Sequence, residues 1–222
     1  MKIALLGGTF NPLHIGHCML ADTVVRELGF DKVLFVPTYI PPHKVLNSPV
    51  SPEQRLNMVR AFCDSAAIDG KRYFEAEPCE IERGGVSYTI DTLRYVIDSY
   101  KLDERPAFIM GEEVAAQFDK WNNSAGVASL ADLIIARRHP DNNGVDVSGF
   151  SNTPSGAYLE DYKDESLLEN FPYKYTMLQN PIFPVSSTEI RSRIANGKSF
   201  RYLVPESVFN YICENNLYGI KK

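Results

Sequence analysis

The chain alternates short apolar runs with stretches of helical periodicity. Of all its sequence features, this alternation most limits the folds that the chain can adopt. The predicted strands are residues 2–6, 32–36, 73–76, 107–110, 133–136 and 182–185. The predicted helices are residues 16–28, 51–64, 87–100, 113–118, 186–196 and 205–215. Short strands separated by helices predict an α/β fold with a doubly wound parallel sheet, covered by helices on both faces.

Length and composition are typical of one globular domain. The 222 residues are 44% hydrophobic and 23% charged, which excludes wholesale disorder. A net charge of -5 argues against nucleic acid as a partner. The sequence has no apolar run near the ~20 residues of a membrane span, and no signal peptide core, so no membrane partner is expected. Four scattered cysteines without a CxxC pair favour a reducing cytoplasm over a disulfide framework.

One long stretch shows no sustained period. Residues 139–180 are rich in glycine, proline, asparagine and serine, and we interpret them as an insertion or long loop. The prediction is therefore a single domain over residues 1–222, interrupted at about 139–180. A helical C-terminal part is predicted at about 186–222.

The turn after the first predicted strand is glycine-rich and carries two histidines. Gly7 and Gly8 permit a sharp turn and close approach to a ligand, and the following helix start favours phosphate. His14 and His17, three apart, project to one side and can donate to phosphate oxygens. A plain glycine turn or a zinc site is the weaker interpretation, since no third zinc ligand stands close in sequence. The missing GxxxxGK[ST] and GxGxxG motifs exclude a P-loop NTPase and a dinucleotide-binding oxidoreductase.

A second anion-binding pattern opens the late predicted helix. Ser186 and Glu189 have capping-box spacing, which accounts for a well-capped helix. Capping does not account for Ser187, Thr188 or Arg191. Arg191 lies four residues after Ser187 and therefore on the same side of the helix. A helix N-terminus with spare hydroxyls and a guanidinium suits the terminal phosphates of a nucleotide.

Together the two patterns resemble the HxGH nucleotidyltransferase superfamily and, within it, the bacterial nicotinate-nucleotide adenylyltransferases. The matching segments are Gly7-Gly8-Thr9-Phe10-Asn11-Pro12, His14-Ile15-Gly16-His17, Val36-Pro37-Thr38, Pro41-Pro42-His43-Lys44, Arg83-Gly84-Gly85-Val86-Ser87-Tyr88-Thr89, Gly111 through Trp121, Ser186-Ser187-Thr188 with Arg191, and Tyr202-Leu203-Val204-Pro205. The resemblance covers nearly the whole chain except residues 139–180. It implies a Rossmann-like sheet of the nucleotidylyl transferase type with a small C-terminal helical part.

The resemblance implies transfer of AMP from ATP to nicotinate mononucleotide, giving nicotinate adenine dinucleotide and pyrophosphate in NAD biosynthesis. The mononucleotide phosphate would attack the α-phosphorus directly, so no protein nucleophile is required. Catalysis then consists of alignment and charge neutralisation, with Mg²⁺ as cofactor held through ATP phosphates rather than protein ligands. The implied catalytic residues are His14, His17 and Arg191. The implied ATP-binding residues are Gly7, Gly8, Thr9, Phe10, His14, Gly16, His17, Ser186, Ser187, Thr188 and Arg191.

The resemblance also implies a third group of residues, which would bind the acceptor, nicotinate mononucleotide. These are Lys44, Ser87, Tyr88, Thr89, Trp121 and Arg137. Lys44 matches a lysine on the mononucleotide phosphate, the helix start at Ser87 suits a nicotinate carboxylate, and Trp121 can stack on a pyridine ring. Either Arg137 or Arg138 matches an arginine of a late strand-end loop. Glu113 replaces an expected aspartate at the ribose and is one methylene longer, so the resemblance does not assign it that contact.

Three other functions share part of the pattern. Another small HxGH nucleotidyltransferase, such as a phosphopantetheine adenylyltransferase or an enzyme attaching CMP to an alcohol phosphate, usually lacks the Ser87 and Trp121 contexts. Class I aminoacyl-tRNA synthetases are much longer and carry a lysine-rich second loop. A non-catalytic ATP sensor is disfavoured by the intact histidines and Arg191. The sequence does not decide between nicotinate and nicotinamide preference, and it is compatible with a homo-oligomer.

Overall fold

The computed structural model describes residues 1–42, 50–137 and 168–220, and its centre is a six-stranded parallel sheet. The strands are β1 (Ile3–Gly8), β2 (Lys32–Pro37), β3 (Phe74–Ala76), β4 (Ala107–Gly111), β5 (Asp132–Ala136) and β6 (Tyr175–Leu178). Their order is β3-β2-β1-β4-β5-β6, so the direction of winding reverses between β1 and β4. The predicted doubly wound α/β fold is confirmed.

Eight α-helices and three short 3₁₀ helices surround the described sheet. The α-helices are α1 (Ile15–Leu28), α2 (Pro52–Ser65), α3 (Cys79–Arg83), α4 (Thr89–Ser99), α5 (Glu112–Ala115), α6 (Ser124–Leu130), α7 (Ser187–Ala195) and α8 (Glu206–Glu214). The 3₁₀ helices are Phe118–Lys120, Arg201–Leu203 and Leu217–Gly219. The sequence did not predict α3 and α6, which are too short to show a period. Among the described helices, none is both long and apolar enough to cross a membrane.

Local sequence explains where the main helices begin and end. The Ser51 hydroxyl accepts the N–H of Gln54 at 3.1 Å, and Pro52 fits the first position of α2. Ser186 caps α7 in the same way. Helix α1 ends at Gly29, whose φ of 66° lies in the left-handed region.

The sheet has a hydrophobic core on each face because alternate residues of a strand point in opposite directions. In β1, Ala4 and Leu6 pack on the side of α1, α2, α7 and α8. Ile3 and Leu5 pack on the side of α4 and α6. With both faces covered, the carboxyl ends of the strands are where loops can form a site.

The sixth strand differs from the prediction. Residues 182–185 are not a strand, so that prediction is wrong, and β6 lies instead within the stretch predicted as an insertion or loop. Pro181 and Pro184 lack the N–H that a sheet ladder requires, whereas Tyr175 and its neighbours pair with β5 from Leu133 onward. Residues 138–167 lie outside the described part, so the predicted insertion is not tested there.

Candidate active site

A cavity of about 440 Å³ opens at the carboxyl ends of β1 and β4. Doubly wound sheets bind ligands at this reversal of strand order, and the volume is within the roughly 300–1,000 Å³ of small-molecule sites. Eleven of the predicted site residues line the cavity, namely Gly7, Gly8, Thr9, His14, Gly16, His17, Ser87, Tyr88, Thr89, Trp121 and Arg137. The fold therefore brings the two predicted substrate sides into one space.

The last two residues of β1 and the loop that follows them, residues 7–14 and here called the histidine loop, turn tightly. Phe10 has a φ of 46°, and its side chain is buried in the core against Phe35. A Cβ on Gly8 would lie 3.2 Å from the Phe10 ring, so a larger residue there would disturb the turn. Phe10 is only 1% exposed and is absent from the cavity lining, so its predicted contact with ATP stays a prediction.

The two histidines stand side by side at the start of α1. Their rings are stacked with centroids 3.8 Å apart, and His14 is the N-cap residue. His17 Nδ1 accepts the backbone N–H of His14 at 3.3 Å, which favours the tautomer protonated at Nε2. A Cβ on Gly16 would lie 3.1 Å from the His14 ring, which explains the glycine between them. This tautomer makes Nε2–H of His17 a hydrogen-bond donor, as a phosphate site requires.

Helix α7 contacts the loop of residues 7–14 through two side chains that donate to backbone carbonyls of the loop. Ser187 Oγ donates to the carbonyl of Pro12 at 2.8 Å, and Arg191 Nη1 donates to the carbonyl of Asn11 at 2.7 Å. Arg191 Nη2 also donates to the Thr188 hydroxyl at 3.2 Å. The α7 residues predicted to bind ATP lie beside this loop and outside the cavity lining; they are Ser186, Ser187, Thr188 and Arg191.

Two buried side chains to which the sequence analysis assigns no role also hold this loop. Tyr218 Oη donates to Asn11 Oδ1 at 2.8 Å, and Arg55 Nη1 donates to the carbonyl of Thr9 at 2.7 Å. Burial raises the pKa of Tyr218, so its hydroxyl stays protonated as the donor. Neither residue has a local signal, because Arg55 follows a helix cap like any surface arginine and Tyr218 is distant in sequence.

The start of α4 forms the opposite wall of the cavity. Tyr88 is the N-cap residue and Thr89 the first helical residue, so the N–H groups of the first turn belong to this wall. Ser87 is buried, its hydroxyl accepts the N–H of Tyr39 at 3.1 Å, and its N–H donates to the carbonyl of Ile40 at 2.9 Å. Ser87 therefore fastens the start of α4 to the loop after β2.

Trp121 and Arg137 complete this wall from two further loops. The indole of Trp121 packs edge-on against Phe108, with ring centroids 5.8 Å apart, and also contacts Phe118. Arg137 follows β5, and its backbone N–H and carbonyl both bond to the side chain of Asn180, at 2.9 and 3.1 Å. Asn180 was also missed, although an asparagine before a proline indicates a turn.

Glu80 is an unpredicted acid in the cavity lining. It is buried and accepts the hydroxyl of Thr92 at 2.6 Å. Burial raises the pKa of Glu80, and hydrogen bonds from Thr92 and Ser87 partly oppose that shift. In the sequence Glu80 stands in a charged run that is typical of a solvated helix, so nothing marked it.

Comparison with known proteins places this site in a family. The cytidylyltransferase-like family model matches residues 5–193. A protein of Borrelia garinii subsp. bavariensis named "Probable nicotinate-nucleotide adenylyltransferase" is 36% identical over 222 residues, which cover 100% of this chain and 96% of that protein. A protein of Treponema pallidum subsp. pallidum with the same name is 36% identical over 220 residues, covering 98% of this chain and 99% of that protein. The chain belongs to the nicotinate-nucleotide adenylyltransferase family. It is a nucleotidyltransferase, and the resemblance drawn from its motifs is confirmed.

A solved structure shares the fold of this nicotinate-nucleotide adenylyltransferase homologue. It is described as Plasmodium falciparum nicotinic acid mononucleotide adenylyltransferase complexed with NaAD, and it superposes with a TM-score of 0.69. The match covers 99% of this chain and 98% of that chain at 18% identity, which supports the Rossmann-like fold alone.

The structure assigns no cavity contact to two residues that the family pattern singles out. Lys44 falls outside the described residues, so its predicted contact with the mononucleotide phosphate is not tested. Glu113 is described, but only its neighbours Gly111 and Val114 line the cavity. No ribose contact is therefore assigned to Glu113.

Proposed function

We propose that this chain transfers the AMP group of ATP to nicotinate mononucleotide, forming nicotinate adenine dinucleotide and releasing pyrophosphate in NAD biosynthesis. One observation carries the proposal. A single cavity joins the histidine loop to the start of α4, Trp121 and Arg137. The full-length similarity to the family supports the same reaction.

The reaction is a direct displacement at the α-phosphorus of ATP. An oxygen of the mononucleotide phosphate forms the new P–O bond, the bond to the oxygen bridging the α- and β-phosphorus breaks, and pyrophosphate leaves with that oxygen. Charge on the transferred group is stabilised by preorganised donors, here His17 Nε2–H and the backbone around Gly8 and Thr9. The stacked His14 ring holds His17 in place.

The leaving phosphates are assigned to the start of α7. Ser187, Thr188 and the positive end of the helix favour an anion there. Arg191 has five N–H donors, so its bonds to Asn11 and Thr188 leave capacity for phosphate oxygens. Because Arg191 is also bonded to the histidine loop, it would align that loop with the start of α7, the two elements proposed to bind phosphate.

The cofactor is proposed to be Mg²⁺ carried by the ATP phosphates. Nucleotidyltransferases generally use a divalent metal, and Mg²⁺ prefers substrate phosphates, water and one or two carboxylates. In the described part of the chain, no three His, Cys, Asp or Glu side chains gather as metal ligands. An ion held by the phosphates would, when bound, neutralise negative charge on the triphosphate.

The acceptor is assigned to the wall formed by α4, Trp121 and Arg137. The N–H groups at Tyr88 and Thr89 suit a nicotinate carboxylate, and the indole of Trp121 suits its pyridine ring. Lys44 is proposed to hold the mononucleotide phosphate. The four cysteines are free thiols, which supports a reducing compartment such as the cytoplasm.

The test is pyrophosphate release with ATP and Mg²⁺, offering nicotinate mononucleotide, nicotinamide mononucleotide and phosphopantetheine in parallel. The dinucleotide product is identified by chromatography. We expect much faster release with the nicotinate compound. Equal rates with the two mononucleotides would contradict the acceptor assignment alone. Release only with phosphopantetheine would establish the alternative enzyme, and ATP binding without any release would indicate a sensor.

A further inference from the structure

Arg55 connects the two loops that frame the cavity. It lies in α2, and its side chain is only 1% exposed. Its Nη1 donates to the carbonyl of Thr9 at 2.7 Å, and its Nη2 donates to the carbonyl of Tyr39 at 3.3 Å. Thr9 belongs to the histidine loop after β1, and Tyr39 belongs to the loop after β2. One guanidinium therefore spans two separate loops.

The loop after β2 extends this connection to the acceptor side. The N–H of Tyr39 donates to the Ser87 hydroxyl at 3.1 Å, so both backbone groups of Tyr39 are engaged. The N–H of Ser87 donates back to the carbonyl of Ile40 at 2.9 Å. A continuous chain of hydrogen bonds thus runs from Thr9 through Arg55 and Tyr39 to the start of α4.

The chemistry of this position calls for a guanidinium. A fully buried helix position ordinarily takes an apolar residue, and a buried charge is costly unless it is hydrogen-bonded. Burial lowers the pKa of Arg55, while Tyr218 and Glu80 act in the opposite direction. The planar fork of arginine presents separate N–H groups to two carbonyls, whereas a lysine ammonium is a single point on a flexible stem.

We propose that Arg55 is a positioning residue that couples the histidine loop to the acceptor wall, so that binding of one substrate strengthens binding of the other. Arg55 does not line the cavity and acts through the backbones of Thr9 and Tyr39. The inference rests on the proposed function, which assigns these two sides to ATP and to the mononucleotide. Coupling of this kind is a difference in binding affinity and can be measured without turnover.

The experiment compares Arg55→Lys with the parent and with Arg60→Lys. Arg60 lies on the same helix but is exposed and pairs with Glu53 and Asn57, which makes it a matched control. Calorimetry gives the Kd of nicotinate mononucleotide with and without a non-hydrolysable ATP analogue, and kcat and both KM values are measured in parallel. In the parent, the analogue is expected to tighten acceptor binding by about fivefold or more.

Arg55→Lys is expected to remain folded and to lose most of that tightening. Its kcat is expected to fall about 10- to 100-fold through misalignment of the loops, while the affinity for each substrate alone changes less. Arg60→Lys should behave as the parent in both measurements. Absence of coupling in the parent, or full coupling in a folded Arg55→Lys variant, would overturn the proposal.

A second variant keeps the proposal testable if Arg55→Lys does not fold. Ser87→Ala removes the acceptor of the Tyr39 N–H and so weakens the same chain at its other end, while the backbone bond from Ser87 N–H to the Ile40 carbonyl is kept. Reduced coupling in Ser87→Ala supports the proposal, and unchanged coupling contradicts it. A parent that binds both substrates but releases no pyrophosphate would contradict the proposed function alone.

Discussion

The two sides of the candidate site are held in different ways. The histidine loop receives hydrogen bonds from four side chains that are 46 to 207 residues away: Arg55, Ser187, Arg191 and Tyr218. The acceptor wall is assembled from several loops, and its cavity-lining side chains Tyr88, Thr89, Trp121 and Arg137 are half-buried. The histidine side is therefore a single loop held by several side-chain hydrogen bonds, whereas the acceptor wall is formed by separate segments of the chain.

This difference predicts a division of labour. Direct displacement at phosphorus depends on fixed alignment of donors, and small displacements are costly. A pyridine ring bound by stacking and by a helix start tolerates more adjustment. Substitutions on the histidine side are therefore expected to act mainly on kcat, and substitutions on the acceptor wall mainly on the KM of the mononucleotide.

The largest expected effect is that of His17→Ala. Removal of a preorganised donor to the transferred phosphate should lower kcat by on the order of 100-fold or more, with the thermal unfolding midpoint little changed. Steady-state kinetics and thermal unfolding are measured beside Met19→Ala, a neighbour on α1 outside the cavity lining. Near-normal turnover of His17→Ala would remove the proposed phosphate role.

The next effect tests the acceptor side at Lys44. Loss of a charge-assisted hydrogen bond to phosphate, worth about 1.5–3 kcal/mol, corresponds to roughly a 10- to 100-fold rise in the KM of the mononucleotide. The KM of ATP should change much less, which titration of each substrate in Lys44→Ala will show. An equal rise in both values would contradict the assignment and the division between the two sides.

The sequence predicts the residues of the histidine loop, but not the distant side chains that hold this loop in place. Gly7 to His17 form one continuous motif, and local chemistry was enough to predict a turn, a helix start and phosphate binding. Arg55 and Tyr218 bond to that motif from distant segments, so only the folded chain shows them. The sheet is predicted for the same local reason, except that the apolar residues at 182–185 predict a last strand that lies instead at Tyr175–Leu178.

A moderate effect is expected from Trp121→Ala. Loss of the aromatic face should raise the KM of the mononucleotide about tenfold, because aromatic stacking adds roughly 0.5–1.5 kcal/mol beyond area burial. Trp121→Phe keeps a ring and should retain most of the affinity, which makes it the matched control. A larger change in kcat than in KM for Trp121→Ala would mean that the acceptor wall also aligns the reaction.

A smaller effect is expected from Tyr218→Phe on the histidine side. The substitution removes the bond to Asn11 and should lower the free energy of unfolding by about 1 kcal/mol. Because the loop loosens, kcat should fall a few-fold while both KM values stay nearly constant. Tyr202→Phe, at a residue 83% exposed, serves as the control in denaturant unfolding and kinetics. A selective rise in the KM of the mononucleotide would contradict the expectation that the histidine side acts mainly on kcat.

The smallest effect concerns Glu80, the buried acid of the cavity lining. Burial raises the pKa of Glu80 above its ordinary value of 4.5. A raised folded-state pKa means that protonated Glu80 contributes stability below pH 4.5, and that this contribution is lost as pH rises through the folded-state pKa. Glu80→Gln mimics the protonated form, so its free energy of unfolding should gain on that of the parent as pH rises from 4.5. Denaturant unfolding across this range, beside exposed Glu82→Gln, measures the difference. A gap that does not change with pH would show that Glu80 titrates alike in the folded and unfolded states, and the predicted stability effect of its burial in the cavity would be wrong.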